Sequence, residues 1–265
     1  MVLGKRTFTK YLNPISVILT YVFLYLPIFI LILFSFNDSS VSIEWTGFSF
    51  RWYYKLFDSP EIWAALGVSL IVAISSTLIS LLLGTLFVIS GRWIKIDFIT
   101  SLFNTSVILP DIILAVSVLS IFAFLRIPLG YGSLIVGHTI IGLGFVIPIV
   151  KSRFHELDPE LTEASLDLGA GYIQTFLRVI FPLLTPSLVA SGLLVFTLSL
   201  DDFLISFFCS SPTVQTLSVY VYSMIKTWVD PTINAVSTLL LLVSSILVLL
   251  MSYLKVADKV VSNEH

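Results

Sequence analysis

"LTEASLDLGAGYIQTFLRVIFPLLTP", Leu161 to Pro186, interrupts a chain that is almost wholly apolar on both sides of it. The approach to this stretch reads as a helix start. Asp158-Pro159-Glu160 supplies a capping carboxylate, then proline where no intrahelical N–H is needed, then an acid in the first turn. Leu161, Ala164 and Leu168 follow at helical spacing and make one apolar stripe. Gly169 stands where a left-handed cap residue is usual. A second short helix is predicted from Tyr172, with Phe176 and Ile180 on one face, ended by Pro182 and Pro186 before the next apolar run. The first helix carries Glu160, Glu163 and Asp167, whereas helices that lie on a membrane surface favour Lys and Arg. Docking of the pair into a groove on another protein accounts for those acids better.

The surroundings of this loop set the class. Of 265 residues 57% are hydrophobic and 11% charged, with mean hydropathy +1.03; a soluble domain carries roughly 25% charged residues. The chain is therefore expected to be an all-α integral membrane protein. Six runs are long enough to span: Ile15–Phe36, Leu66–Ile89, Leu102–Leu125, Gly132–Val150, Leu188–Phe208 and Ile233–Leu254. They are continuous rather than alternating, which excludes barrel strands. The first run follows Lys5, Arg6 and Lys10 as in a secretory signal. At 22 residues it exceeds the roughly 7–15 of a signal core, and no small-x-small cleavage site follows. It is read as a retained helix.

With both termini on one side, that side holds Lys5, Arg6, Lys10, Arg92, Lys95, Lys151, Arg153, Arg178, Lys255 and Lys259, and the other only Arg51, Lys55, Arg126 and Lys226. Ten against four places both termini and the quoted loop in the cytoplasm. The net charge of −2 excludes a broad nucleic-acid footprint. The single Cys209 can form no internal disulfide and reads as a small apolar filler. Two outer loops, Asn37–Ala65 and Ser210–Thr232, carry Trp45, Trp52, Tyr53, Tyr54 and Trp63, then Tyr220, Tyr222 and Trp228, read as interfacial aromatic belts.

Three carboxylates fall within the predicted spans: Asp111, Asp201 and Asp202. An aspartate at a helix centre costs about 2.5–3.5 kcal/mol on the insertion scale. Thirteen Leu, Ile, Val and Phe residues in Leu188–Phe208 offset about 4–8 kcal/mol, which the Asp201–Asp202 pair nearly cancels. These acids are expected to face protein or an aqueous path, and such a path suits a cation. Adjacent helical residues diverge by about 100°, so only one of Asp201 and Asp202 is expected to meet it. His138 is read as a hydrogen-bond partner between helices. Gly130, Gly132, Gly137, Gly142 and Gly144 are expected to let that helix approach its neighbours closely, and Pro110 and Pro148 to bend theirs.

The loop's residues also carry a resemblance. Glu163-Ala164-Ser165, three residues, Gly169, nine residues, then Val179-Ile180-Phe181-Pro182 resembles the E-A-A-x3-G-x9-I-x-L-P loop of ATP-binding-cassette (ABC) importer permeases, with departures at Ser165, Val179 and Phe181. The stretches "YLPIFILILFSFN" (Tyr25–Asn37), "SVILPDIILAVSVL" (Ser106–Leu119), "SLIVGHTIIGLGFV" (Ser133–Val146) and "FTLSLDDFLISFF" (Phe196–Phe208) are similar to spermidine/putrescine permease subunits of the PotC type. The resemblance implies six transmembrane helices in a MetI-like type I importer fold with a cytoplasmic coupling helix, which fits a cleft in an ATPase subunit. On that reading residues 1–65 are the first helix and periplasmic loop, 66–254 the permease core with its coupling loop at 151–186, and 255–265 a cytoplasmic tail. It implies coupling through Glu163, Ala164, Ser165, Gly169, Val179 and Pro182. It also implies a bacterial inner membrane, cytoplasmic ATPase subunits that bind ATP and Mg, a second and different permease subunit, a periplasmic binding protein and a polyamine substrate. No cofactor, catalytic residue or metal ligand is expected in this chain. It lacks the G-x4-G-K-[ST] phosphate loop, so ATP chemistry belongs to a partner. Import of another small cation or organic solute, and an ion-coupled carrier using Asp201 or Asp202, are the alternatives. An intramembrane aspartyl protease would need a G-x-G-D pattern that is absent.

Overall fold

The computed structural model describes residues 3–39, 44–91, 103, 109–227 and 231–262, with side chains placed except at 3–15, 247 and 250–262. Arg92, Lys95, Trp228 and most of Leu102–Ile108 lie outside the described residues, as do the side chains of Lys5, Arg6, Lys10, Lys255 and Lys259. Every regular element among the described residues is helical: α1 (Leu3–Phe34), α2 (Arg51–Phe57), α3 (Pro60–Ser90), α4 (Asp111–Phe124), α5 (Tyr131–Glu156), α6 (Glu160–Asp167), α7 (Tyr172–Asp201), α8 (Leu204–Cys209), α9 (Leu217–Thr227) and α10 (Thr232–Ser262). By length and composition Ser16–Phe34, α3, α5 and α7 could each cross a membrane, while α4 and Thr232–Ile246 of α10 are shorter apolar helices. The 14 residues of α4 reach about 21 Å, short of a hydrocarbon core of about 30 Å.

The chain forms two compact units, Met1–Pro60 with Ser223–Val243, and Glu61–Tyr222 with Ser244–His265. In the first unit the segment after α1 folds on itself around Asn37. The Asn37 amide donates to the Glu44 carbonyl at 2.5 Å and accepts from Thr46 N–H at 3.0 Å, while its carbonyl takes the Trp52 indole N–H at 2.6 Å. Phe36 stacks on Phe48, with ring centroids 5.4 Å apart, and meets Phe50 and Tyr53 at 5.6 and 5.2 Å. Trp52 is thus buried inside its own loop, and Tyr53 bonds Ser35. These two rings serve this small core, which alternating aromatic residues build once Asn37 supplies the turn.

In the second unit two apolar clusters lie along α5. Val68, Val72, Ala115, Val118, Phe122, Leu134, Ile205 and Cys209 gather α3, α4, α5 and α8. Val88, Val146, Ile147, Val150, Ile180, Leu184 and Val195 gather α3, α5 and α7. Gly137 and Gly142 make this possible, because a Cβ at Gly137 would sit 2.7 Å from Ile205 Cγ2, and one at Gly142 would run into Ser80 and Val195. Cys209 is a buried filler, as expected.

Three expectations about elements need correcting. Pro182 and Pro186 do not end the second helix of the loop, which runs unbroken from Tyr172 to Asp201. A π turn over Phe176–Ile180, with Phe181 N–H bonding the Phe176 carbonyl five residues back, carries the chain past Pro182, which has no N–H to offer. The predicted fifth span, Leu188–Phe208, is broken at Asp202, whose backbone turns extended (φ −64°, ψ 130°) before α8 restarts. Its carboxylate captures a backbone donor of α8, the competition that disfavours aspartate inside helices. The segment Ser210–Thr232, expected as a loop, contains the helix α9, which buries Leu217 and Val219 and starts with Leu217 N–H on Ser69 Oγ at 2.8 Å.

Candidate functional site

Two places carry the sequence-predicted residues. The first is the hairpin from α6 into α7. Asp158 Oδ1 accepts the Glu160 N–H at 2.9 Å, so the expected cap is present, although proline is the residue flanking the first turn. The far end closes as expected. Gly169 adopts φ +85°, Gly169 N–H bonds the Leu166 carbonyl and Ala170 N–H bonds that of Ser165. Glu163 and Ala164 are exposed, and Leu168 and Ile173 are 89% and 77% exposed. The stripe of Leu161, Ala164 and Leu168 is therefore uncovered by this chain. Val179 and Pro182 sit at the base of the hairpin, on either side of Ile180, which is buried in the second apolar cluster.

Ser165, a departure from the EAA pattern, places its Oγ 2.9 Å from Thr175 Oγ1 and ties α6 to the start of α7. Spacing could not show this, because the partner lies ten residues on and across a turn.

The second place is a cavity of about 380 Å³ in the second unit. It brings all three predicted carboxylates together: Asp111, Asp201 and Asp202 all line it, beside Phe145, Phe203 and His138. Asp111 opens α4 directly after Pro110, which caps the helix in extended conformation (φ −56°, ψ 130°). It thus stands at a helix N-terminus, where a negative charge is favoured. Pro110 starts a helix where a bend was expected, and Pro148 lies inside α5.

Asp201 accepts from Ser244 Oγ of α10 at 3.1 and 3.3 Å to its two oxygens. Asp202 Oδ2 accepts the Ser206 N–H of α8 at 2.9 Å. The expectation that only one of this pair meets the cavity is corrected here. Helical divergence does not apply, since the helix ends between them and the extended backbone at Asp202 returns its side chain to the same space.

His138 is fully enclosed, at 2% exposure, and bridges helices as expected. Its Nδ1 is 2.8 Å from Ser199 Oγ and its Nε2 3.2 Å from Ser206 Oγ, with Asp202 Oδ2 at 3.7 Å. Ser199 in turn lies 3.4 Å from Ser76 Oγ on α3. Among the described lining residues of the cavity there is no Lys or Arg. The serines were missed in the sequence. Their signal is present in "SLDDFLIS", where hydroxyls flank the aspartates at both ends of the helix break.

The cavity is thus a space of about 380 Å³ with three carboxylates, aromatic side chains and no Lys or Arg among its described lining. Such a space favours a cation, because His138, beside Asp202, is the one basic side chain in that lining to set against three acids.

Comparison with known proteins fits this geometry. The family described as "Binding-protein-dependent transport system inner membrane component" matches residues 76–261. The chain is 37% identical over 246 residues to the spermidine/putrescine transport system permease protein PotC of Escherichia coli (strain K12), covering 92% of this chain and 93% of that one. It is 33% identical over 237 residues to the putrescine transport system permease protein PotI of the same organism, covering 86% and 84%. Among solved structures it is similar to a bacterial ABC transporter that imports alginate (TM-score 0.68, 15% identity, 96% of this chain and 97% of that one). It is also similar to the inward-facing MetNI methionine ABC transporter (TM-score 0.56, 19% identity, 81% and 98%). These last two show the fold, which is that of a MetI-like importer permease. The chain belongs to the binding-protein-dependent transport system inner membrane components, homologous to the permease subunits of polyamine ABC transporters.

Proposed function

We propose that this chain moves polyamines across the bacterial inner membrane as one permease subunit of an ABC importer. Spermidine and putrescine are flexible chains with several ammonium groups. The observation that supports them as cargo is the gathering of Asp111, Asp201 and Asp202 on one cavity with aromatic side chains and no Lys or Arg among its described lining. An ammonium about 4 Å from one carboxylate gains about 4 kcal/mol near a protein surface against about 1 in water, and aromatic faces add to this. The named activity of the PotC and PotI relatives supports the same substrate class.

On this reading six helices span, both termini are cytoplasmic, and residues 66–254 form the permease core. The helix α6 (Glu160–Asp167) is the coupling helix, and the exposed Leu168 and Ile173 of the hairpin it forms with α7 enter an ATPase subunit that binds ATP and Mg. A second, different permease subunit and a periplasmic binding protein complete the importer.

The test is Asn substitution at Asp111, Asp201 and Asp202 in the assembled complex, followed by spermidine and putrescine uptake. A loss of tenfold or more at two or three positions, equivalent to about 1.4 kcal/mol or more, is expected while ATPase assembly is retained. Unchanged uptake in all three rejects the cation path.

A further inference from the structure

His138 is the one titratable side chain of the cavity wall that the reading above leaves without a task. Its surroundings are more specific than a helix contact needs. The imidazole is gripped at both ends, by Ser199 from α7 at Nδ1 and by Ser206 from α8 at Nε2, so it cannot turn without losing both bonds. Nδ1 meets Ser199 Oγ, and Nε2 is the atom that faces Ser206 Oγ and Asp202 Oδ2; taking Ser199 as donor to Nδ1 puts the ring proton on Nε2. Ser206 N–H holds that same Oδ2 at 2.9 Å. The backbone N–H thus holds Oδ2 by a hydrogen bond and the imidazole faces the same oxygen at 3.7 Å, an electrostatic contact. The close approach of α5 to α8 at Gly137 lets the ring sit this near.

We propose that His138 is a positioning residue for cation passage: the clamped imidazole fixes the Asp202 carboxylate by Oδ2 and leaves Oδ1 for the ammonium group. The assignment rests on the reading of the cavity as a cation path. Histidine suits the role because a rigid ring spans two hydroxyls on different helices and still presents a polar edge to the carboxylate. A charged Lys or Arg in its place would cancel the attraction it helps to aim.

The experiment uses the complete transporter in liposomes, with spermidine as probe, and reads uptake beside the ATP hydrolysis stimulated by the loaded binding protein. His138→Leu lowers uptake tenfold or more with hydrolysis within twofold, and His138→Gln, which keeps a neutral donor near Nε2, recovers uptake to within threefold of the parent. Asp202→Asn lowers uptake similarly, and adding His138→Leu to it causes no further loss beyond twofold. The assignment is overturned if the double variant loses the product of the two single effects, if His138→Leu is silent, or if uptake and hydrolysis fall together in both His138 variants. A silent Asp202→Asn overturns His138's role, and the cation path itself falls only if Asp111→Asn and Asp201→Asn are silent as well. An effective Asp202→Asn beside a silent His138→Leu removes only the latter.

Discussion

At the scale of single residues, Gly142 and Asp202 do their work through what they lack and what they interrupt. A Cβ at Gly142 would meet Ser80 and Val195 from two other helices, so α5 can approach both only at glycine. Gly142→Val is expected to destabilise the permease by about 1–3 kcal/mol, read as an earlier unfolding midpoint of the detergent-solubilised protein; Gly132→Val, where a Cβ meets nothing within 4 Å, shows a much smaller shift. Gly137 and Gly142 as points of close approach, and His138 as a hydrogen-bond partner between helices, were legible in the sequence, because small size and buried polarity each leave few options; Gly132, expected to act likewise, faces open space. The convergence of both aspartates was not, because helical spacing assumes an unbroken helix, and Asp202 breaks this one through a bond to Ser206 N–H that only the folded chain supplies.

At the scale of elements, the hairpin between α5 and α7 isolates a backbone effect. Gly169 holds φ +85° with open space where a Cβ would stand, so the cost of replacing it is conformational alone. Gly169→Val therefore strains the turn by about 1–2 kcal/mol or more, while Gly169→Asn is tolerated because asparagine enters this region readily. The expected outcome is ATP-driven uptake reduced several-fold by Val and largely kept by Asn, with ATPase co-purification showing whether docking is what fails. Gly169 and the Asp158 cap could be read directly, since each answers a local backbone need. The passage through Pro182 could not: rules for helix ends assume one hydrogen-bond register, and the π turn at Phe176–Ile180 changes it. The helix α9 escaped for a related reason, as tertiary burial of Leu217 and Val219 outweighs the polar look of its segment.

At the scale of the whole molecule, the absence of a nucleotide-binding loop sets the clearest expectation. Liposomes holding both permease subunits and the binding protein, but no ATPase, should show no concentrative uptake of spermidine at any membrane potential. Accumulation driven by an ion gradient alone would favour the carrier alternative. The membrane class and most helical runs were plain from hydropathy, because burial in lipid demands long apolar stretches. Their grouping was not, since which helices share an apolar cluster depends on small residues meeting across large separations in sequence, as Gly84 meets Val146.

The uninterrupted course of α7 has a mechanical consequence. Its 30 residues make a rod about 45 Å long with the hairpin at one tip and Asp201 at the other. Swung about its lower end, such a lever carries its upper tip about 0.8 Å for each degree of tilt, by the same length. A few degrees of rocking about the hairpin end is thus enough to pull Asp201 away from Ser244 and redraw the acid chamber, with the π turn near the fulcrum as the natural point of give.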